Sequence, residues 1–496
     1  MESYYHRLQA IFISSNRWLV GLAVVALCLL IGLVGGALIA YLSPVLTAAL
    51  VVAIAAGLVM LRSAEAGIFA LVGVICLLPF AALPIKIGFS PTLLDLVLGV
   101  LFVVWLAKLL AGRAEARLGR ASPRPEFVAS PLALPVLAFI LLAFVSFVVG
   151  LGHASPSASA VRRFAEIIIG IALFFVTVNC IRTRRELERV TVAIVLAGFV
   201  EAVIGVVLYF LPRMLTVRLL SALRVVGYPA GWGVLRFIRD DPRLPMRAIA
   251  TSVDPNILGG LMILVAALAV PQLFTRQSVL KRAWVAPMLA AMGLCLFLTY
   301  SRGSFAALGI ALTMLGLIKY RRLLLVLALA GLVIVLLPQT QGYIQHFLQG
   351  VRVQDLATKM RLGEYKDALI LIHRYPLLGV GFVGTPDIDI YIGVSSLYLL
   401  IAEEMGLVGL GVFLIAMAIF FAYTWRARRS ADARLEAIIL GLQTAIVAGL
   451  IGGLFDHYLF SYPHMAAFFW LYVGLAVVAA RLGLEEGAGD TPAPPP

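Results

Sequence analysis

Long apolar runs alternate with short polar or basic turns along most of the chain, the pattern of bundled membrane helices. The runs fall at roughly 18–42, 44–61, 66–84, 92–111, 131–152, 164–181, 190–211, 256–274, 284–300, 304–318, 323–338, 405–424, 436–455 and 461–482. That is about fourteen, most of them near the ~20 residues a bilayer core requires. Two longer polar intervals interrupt the pattern, at about 212–255 and about 339–392. Within the second, Leu362, Tyr365, Leu369 and Ile372 recur at helical spacing in the stretch Arg361–His373. This predicts an amphipathic helix lying over the bundle as a lid. The segment after Leu484, rich in Gly, Pro and acidic residues, is expected to be disordered.

The expected fold is therefore all-α, a polytopic transmembrane bundle of roughly 12–14 helices with two long external loops. Its expected divisions are N-terminal membrane helices over 1–130 and further membrane helices over 131–338, the latter including the loop 212–255. A lid loop over 339–392, C-terminal helices over 393–484 and a tail over 485–496 follow.

The polar positions add an orientation. Basic residues cluster in short turns: Arg113, Arg117, Arg120 and Arg124; Arg182, Arg184, Arg185 and Arg189; Arg276, Lys281 and Arg282; Lys319, Arg321 and Arg322; and Arg426, Arg428, Arg429 and Arg434. Alternation through the spans puts all five clusters and both termini on one side, which the positive-inside rule makes cytoplasmic. Both long intervals then lie outside. The first carries Arg213, Arg218, Arg224, Arg236, Arg239, Arg243 and Arg247 against Asp240, Asp241 and Asp254, an external arginine excess that suggests an anionic ligand. Long loops also cross membranes largely regardless of charge.

Composition agrees. The 496 residues are 62% hydrophobic and 13% charged, with a mean hydropathy of +1.04. The formal charge of +14 resides in turns and loops, which favours the lipid bilayer or an anionic substrate as partner and argues against nucleic acid. Cys28, Cys76, Cys180 and Cys295 all fall inside apolar runs, so neither a disulfide framework nor a metal-ligand spacing is visible. The N-terminus, with Arg7 and Arg17 before an apolar run, reads as a retained signal anchor.

Candidate chemistry concentrates between Arg247 and Arg302. Two apolar helices joined by one basic turn separate these arginines, so both return to the same side of the membrane. Two guanidinium forks there suit a doubly charged phosphate group; snorkelling to the interface is the alternative. Arg236, Arg239 and Asn256 are further candidates for substrate contact in the first loop. Asp95, Glu166 and Glu201 lie in apolar surroundings, where ionised groups need partners or serve an ion pathway. Tyr228, Trp232, Phe237, Tyr365 and Tyr391 are loop aromatics that either stack on sugars or anchor at the interface.

Four motifs carry a family resemblance. Asp254-Pro255-Asn256, Tyr300-Ser301-Arg302-Gly303, Tyr375-Pro376-Leu377-Leu378-Gly379-Val380-Gly381 and the run Ser395–Leu410 resemble, in order, signature segments of the O-antigen ligase and O-antigen polymerase-like membrane glycosyltransferases. The resemblance spans roughly residues 160–480. It implies a GT-C-like enzyme of the bacterial inner membrane, acting at the outer face in cell-surface polysaccharide biosynthesis, lipopolysaccharide included. A polyprenyl-diphosphate-linked glycan would be the donor and a glycan or lipid the acceptor, with no cofactor and no obligatory metal. Arg247 and Arg302 would hold the diphosphate.

One position departs from the family pattern. Where the family has a histidine proposed to activate the acceptor, this chain has Ser395, and a serine is no general base near neutral pH. His373 is the first replacement considered, with Glu404, Glu403, His457 and His464 as others. A transporter or flippase for a lipid-linked or anionic solute, and a non-catalytic family member, are the competing readings.

Overall fold

A computed structural model describes residues 63–83, 90–117, 127–152, 155–338, 356–384 and 394–489, with a few isolated positions besides. The chain divides into two units, residues 1–63 and 64–496. The expected spans at 18–42 and 44–61, the N-terminal anchor, Arg120, Arg124 and Tyr391 lie outside the described residues.

The second unit is an all-helical bundle. Its helices are α1 (Ala64–Leu77), α2 (Leu93–Arg117), α3 (Ala133–Gly150), α4 (Ala158–Cys180), α5 (Arg184–Phe210), α6 (Arg213–Ala222), α7 (Pro255–Phe274), α8 (Arg282–Leu298), α9 (Arg302–Ile318), α10 (Arg321–Leu336), α11 (Leu356–Arg374), α12 (Leu397–Arg428), α13 (Ala433–Gly452), α14 (Tyr458–Ser461) and α15 (Pro463–Gly489). Among the described residues, seven helices are long and apolar enough to cross a membrane: α2, α3, α5, α7, α12, α13 and α15; α1, α8 and α9 are shorter apolar helices. The helices start where the sequence supplies caps. Thr183 and Glu186 form a reciprocal capping box on α5, and Asp254 caps α7 with Pro255 in its first turn.

Helix α7 is apolar on every side and 89% of its membrane window is buried; for α15 the figure is 94%, against 28% for α2. A helix without a polar face belongs in the centre. It packs on α13, α8, α9 and α5, while α15 packs on α4, α13 and α12. Small residues permit the approach: a Cβ on Gly441 of α13 would lie 2.6 Å from the Leu268 carbonyl oxygen of α7.

Differences from the expected elements are local. The expected span 405–424 begins earlier, at Leu397, and contains a break at Gly406. Helix α15 continues to Gly489, into the stretch expected to be disordered; residues 490–496 lie outside the described ones. The lid helix α11 forms, but the face it buries is Ala368, Leu371 and Ile372, whereas Leu362 and Leu369 are exposed.

The basic turns gather at one end. Arg184 pairs with Asp432 at 2.6 Å and Glu486 at 3.1 Å, Arg434 with Glu188 at 3.5 Å, and Lys319 with Glu436 at 3.0 Å. Arg282 donates to the Thr275 carbonyl, and the Thr275 hydroxyl donates to the Ala433 carbonyl. Four of the five clusters thus share the end opposite the α7 and α9 N-termini. If that end is cytoplasmic, Arg243→Cys in a cysteine-free background reacts with a membrane-impermeant maleimide in spheroplasts, and Arg429→Cys reacts only after lysis. The reverse pattern would invert the orientation.

Candidate functional site: an arginine-lined cavity at two helix N-termini

The loop between α5 and α7 is folded back on the bundle. Residues Arg236–Phe237 (β1) and Met246–Arg247 (β2) pair antiparallel, Arg236 opposite Arg247. Like charges directly opposite in a ladder destabilise it, so this pairing is held from elsewhere. Ala248 N–H donates to the Leu298 carbonyl at the end of α8 (2.8 Å). Glu201, fully buried in α5, accepts three hydrogen bonds on one oxygen: from Thr251 N–H (3.1 Å), the Thr251 hydroxyl (2.8 Å) and the Ser252 hydroxyl (3.2 Å). The flanking Ala250 and Val253 have φ of 46° and 61°. All five non-glycine residues with positive φ among the described ones, Arg239, Asp240, Ala250, Val253 and Tyr300, lie in this loop or at the start of α9. Each costs on the order of 1–3 kcal/mol, and such strain collects at functional sites.

This folding places Arg247 at the mouth of the bundle. Its Nε donates to the Thr299 carbonyl (2.7 Å) and its Nη2 to the Asn256 side-chain oxygen (2.8 Å). Arg239, Arg247, Asn256, Tyr300, Ser301 and Arg302 line one cavity of about 150 Å³, together with Arg361 of the lid helix and Phe455, Asp456 and Tyr458 beyond α13. Four arginines and one carboxylate make its lining strongly positive. The N-termini of α7, through Asn256, and of α9, through Ser301 to Ser304, open onto it and add partial positive charge. Burial pushes the Tyr300 hydroxyl up to about 12, so it remains a neutral donor. Asp456 is held above the usual carboxylate range by desolvation, against the lowering charges of His457 and Arg361. Burial also lowers His457, whose ring contacts the Ser461 hydroxyl and stacks on Tyr462.

Of the residues singled out in the sequence, Arg247, Arg302, Arg239 and Asn256 meet here. Arg236 remains beside them, its Nε 3.5 Å from the Val253 carbonyl. Ser395 does not line the cavity; its hydroxyl donates to Glu364 of the lid helix at 2.6 Å, one turn from Arg361. His373 is exposed at the far end of that helix, about 18 Å along the axis from Arg361, and is not brought to the cavity. Glu404 is buried and pairs with Arg163 of α4 at 3.3 Å. Asp95 and Glu166 both bind Arg162, at 3.1 and 2.7 Å, so their charges are structurally paired. Among the loop aromatics, Tyr228 is buried with its hydroxyl accepting from Phe80 N–H, Phe237 lies under the Arg213 guanidinium, and Tyr365 donates to the Ser395 and Leu454 carbonyls. His464 is buried against Phe80. Sequence reasoning missed Arg361 and Asp456 as lining groups. In the sequence Arg361 was only the first residue of the expected amphipathic stretch, and Asp456 only a charge just past an expected span.

The glycine-rich motifs are two halves of one seam. Gly406 breaks α12 with φ 69°, and the loop after α11 inserts there. Val380 and Gly381 donate to the Glu403 and Glu404 carbonyls (2.9 and 3.0 Å), and Leu407 donates to the Pro376 carbonyl (2.7 Å). A Cβ on Gly406 would lie 2.1 Å from the Leu377 carbonyl oxygen, and one on Gly379 2.4 Å from that of Glu403. Only glycine fits either contact.

The fold and the site define a class: a polytopic helical membrane protein with an arginine-lined cavity at one end of its bundle. Residues 287–414, from α8 through the lid helix to the broken helix, match the profile of the family described as O-antigen ligase, which supports an O-antigen ligase-like family for this chain. No curated protein matches it.

Three substitutions test the supports. Gly406→Ala is expected to lower the thermal midpoint in detergent sharply, because the added Cβ meets the Leu377 backbone rather than a side chain that could turn aside. Glu201→Ala should destabilise by about 1–3 kcal/mol per orphaned donor, and Glu201→Gln, which keeps one acceptor oxygen, by less. Equal midpoints for all three and the parent would remove both assignments.

Proposed function

We propose that this protein is a membrane glycosyltransferase of the O-antigen ligase type. In this reading it takes a glycan from a polyprenyl diphosphate at the outer face of a bacterial inner membrane, both termini being cytoplasmic, and passes it to a hydroxyl of a lipid or glycan acceptor. The observation that carries the reading is the convergence of Arg239, Arg247, Arg302 and Arg361 on one cavity at two helix N-termini. A diphosphate leaves readily when pre-placed charges meet it, and guanidinium groups in a low-dielectric wall do so with little reorganisation. The acceptor oxygen bonds to the anomeric carbon as the bond from that carbon to the diphosphate oxygen breaks. The bonding pair departs with the diphosphate, beside the arginines. The acceptor proton passes to Asp456, the carboxylate in the cavity wall. A carboxyl raised by burial is a better base than an ordinary aspartate. This gives Asp456 the task that the histidine replaced by Ser395 would perform, while Ser395 and Glu364 fix the lid helix that carries Arg361.

Arg302→Ala and Arg361→Ala should each lower transfer of labelled glycan about 100-fold or more, with Lys restoring little because a point charge lacks the fork. Full transfer in both alanine variants would refute the diphosphate assignment.

Base catalysis requires the ionised carboxylate, so activity should rise with pH through a midpoint above the ordinary aspartate value of about 3.9. Asp456→Asn should remove that rise, and His373→Ala should leave it intact. A rise unchanged in Asp456→Asn would move the role to another group. Deleting the gene separates the two transfer types. Finished chains stranded on carrier lipid indicate a ligase, and unjoined single repeats a polymerase.

A further inference from the structure

Helix α6 buries Thr216, Val217 and Leu220 against Leu235 and Ile249. A helix in water would turn a polar face outward, yet the opposite face of α6 exposes Met214, Leu215 and Leu219. Two features explain this face. First, it follows directly in the chain on the exposed apolar stripe of α5, whose Leu196, Val200, Val203, Val207 and Phe210 recur at helical spacing up to the end of that helix before Pro212. Beyond α6 the patch goes on through Val225 and Trp232, the latter 60% exposed and held beside the helix by Gly231 N–H donating to the Ser221 hydroxyl (3.0 Å). Second, the stretch Phe210–Leu235 contains Arg213, Arg218 and Arg224 and no acidic residue, and all three arginines are exposed. Apolar side chains, a tryptophan and arginines without acids are the make-up of an element lying in a membrane interface.

The geometry points to α6 and the turn around Trp232 as a docking surface for the bilayer leaflet on the cavity side, with Met214, Leu215, Leu219 and Trp232 immersed and Arg213, Arg218 and Arg224 on the phosphates of anionic phospholipids. The surface is fixed to the bundle: Ala82 N–H donates to the Val226 carbonyl (2.7 Å), and the Thr216 hydroxyl to that of Leu208 (2.9 Å). The apolar cluster under α6 also takes in Phe237 and Met246 of β1 and β2. Immersion of α6 therefore sets the height of Arg239 and Arg247 relative to the lipid phosphates. That consequence rests on the proposed glycosyl transfer; the docking itself does not.

Spin labels test the docking without any transfer assay. Met214→Cys, Leu219→Cys and, as a reference, Arg243→Cys are labelled in the full-length, otherwise cysteine-free protein. Each is reconstituted in nanodiscs of phosphatidylcholine, with and without phosphatidylglycerol. Labels at 214 and 219 should collide with oxygen in preference to a water-soluble nickel chelate, whereas the label at 243 should show the opposite. Phosphatidylglycerol should deepen the first two, and the triple change Arg213→Gln, Arg218→Gln, Arg224→Gln should abolish that deepening. Labels at 214 and 219 as accessible to nickel as the one at 243 would overturn the proposal. Immersion unaffected by phosphatidylglycerol would overturn its anionic half. Dipolar broadening between labels would assign the surface to a second copy of this chain instead.

Discussion

The buried carboxylate of Glu201 is the contact on which the cavity rests. A single oxygen in the middle of an apolar helix gathers the Thr251 amide and the Thr251 and Ser252 hydroxyls. Non-helical backbone at this depth is stable only when its polar groups are satisfied by protein. With that segment tied, Ala250 and Val253 are held in left-handed conformations, Asp254 caps α7, and Asn256 receives the Arg247 guanidinium. An acidic residue inside a span, which by sequence suggested a paired charge or an ion pathway, acts here as an internal cap for a strained loop.

A second irregular segment is secured by a different device. At the α12 break, carbonyls left open by the interrupted helix are taken by N–H groups of the loop after α11, and glycines allow the two backbones to meet. The seam joins the lid helix to the bundle, so Arg361 reaches the cavity from an element whose position is set at Gly379 and Gly406. Both segments follow one rule: the site is made of non-helical backbone, and such backbone must find partners within the protein.

Charge is distributed in keeping with this arrangement. At the end bearing the basic turns, arginines and lysines are matched by Asp432, Glu188, Glu436 and Glu486, and the ion pairs tie helix ends together. About 30 Å away, the length of α7, four arginines share a cavity whose lining has one carboxylate. Opposed arginines and positive φ angles are costs a fold would not retain for stability alone, and they coincide with the site that an anion would neutralise.

Run length and hydropathy by themselves determined the helices, because a membrane span is a local property: Pro255–Phe274 and Ala433–Gly452 fall within a few residues of their expected bounds. Sequence also paired Arg247 with Arg302, since two antiparallel helices must return to the same side. What it left undetermined was which side chains meet. His373 and Glu404 stood beside or within motifs that resemble the family's, yet one is exposed at the end of α11 and the other is bound to Arg163. Arg361 and Asp456, 95 residues apart in the sequence, reach one cavity only because α11 packs on α12 and the chain turns after α13. Those placements depend on left-handed turns, glycine contacts and a buried carboxylate that act between distant segments. No periodicity within a single segment encodes them, so only the tertiary structure could decide the membership of the site.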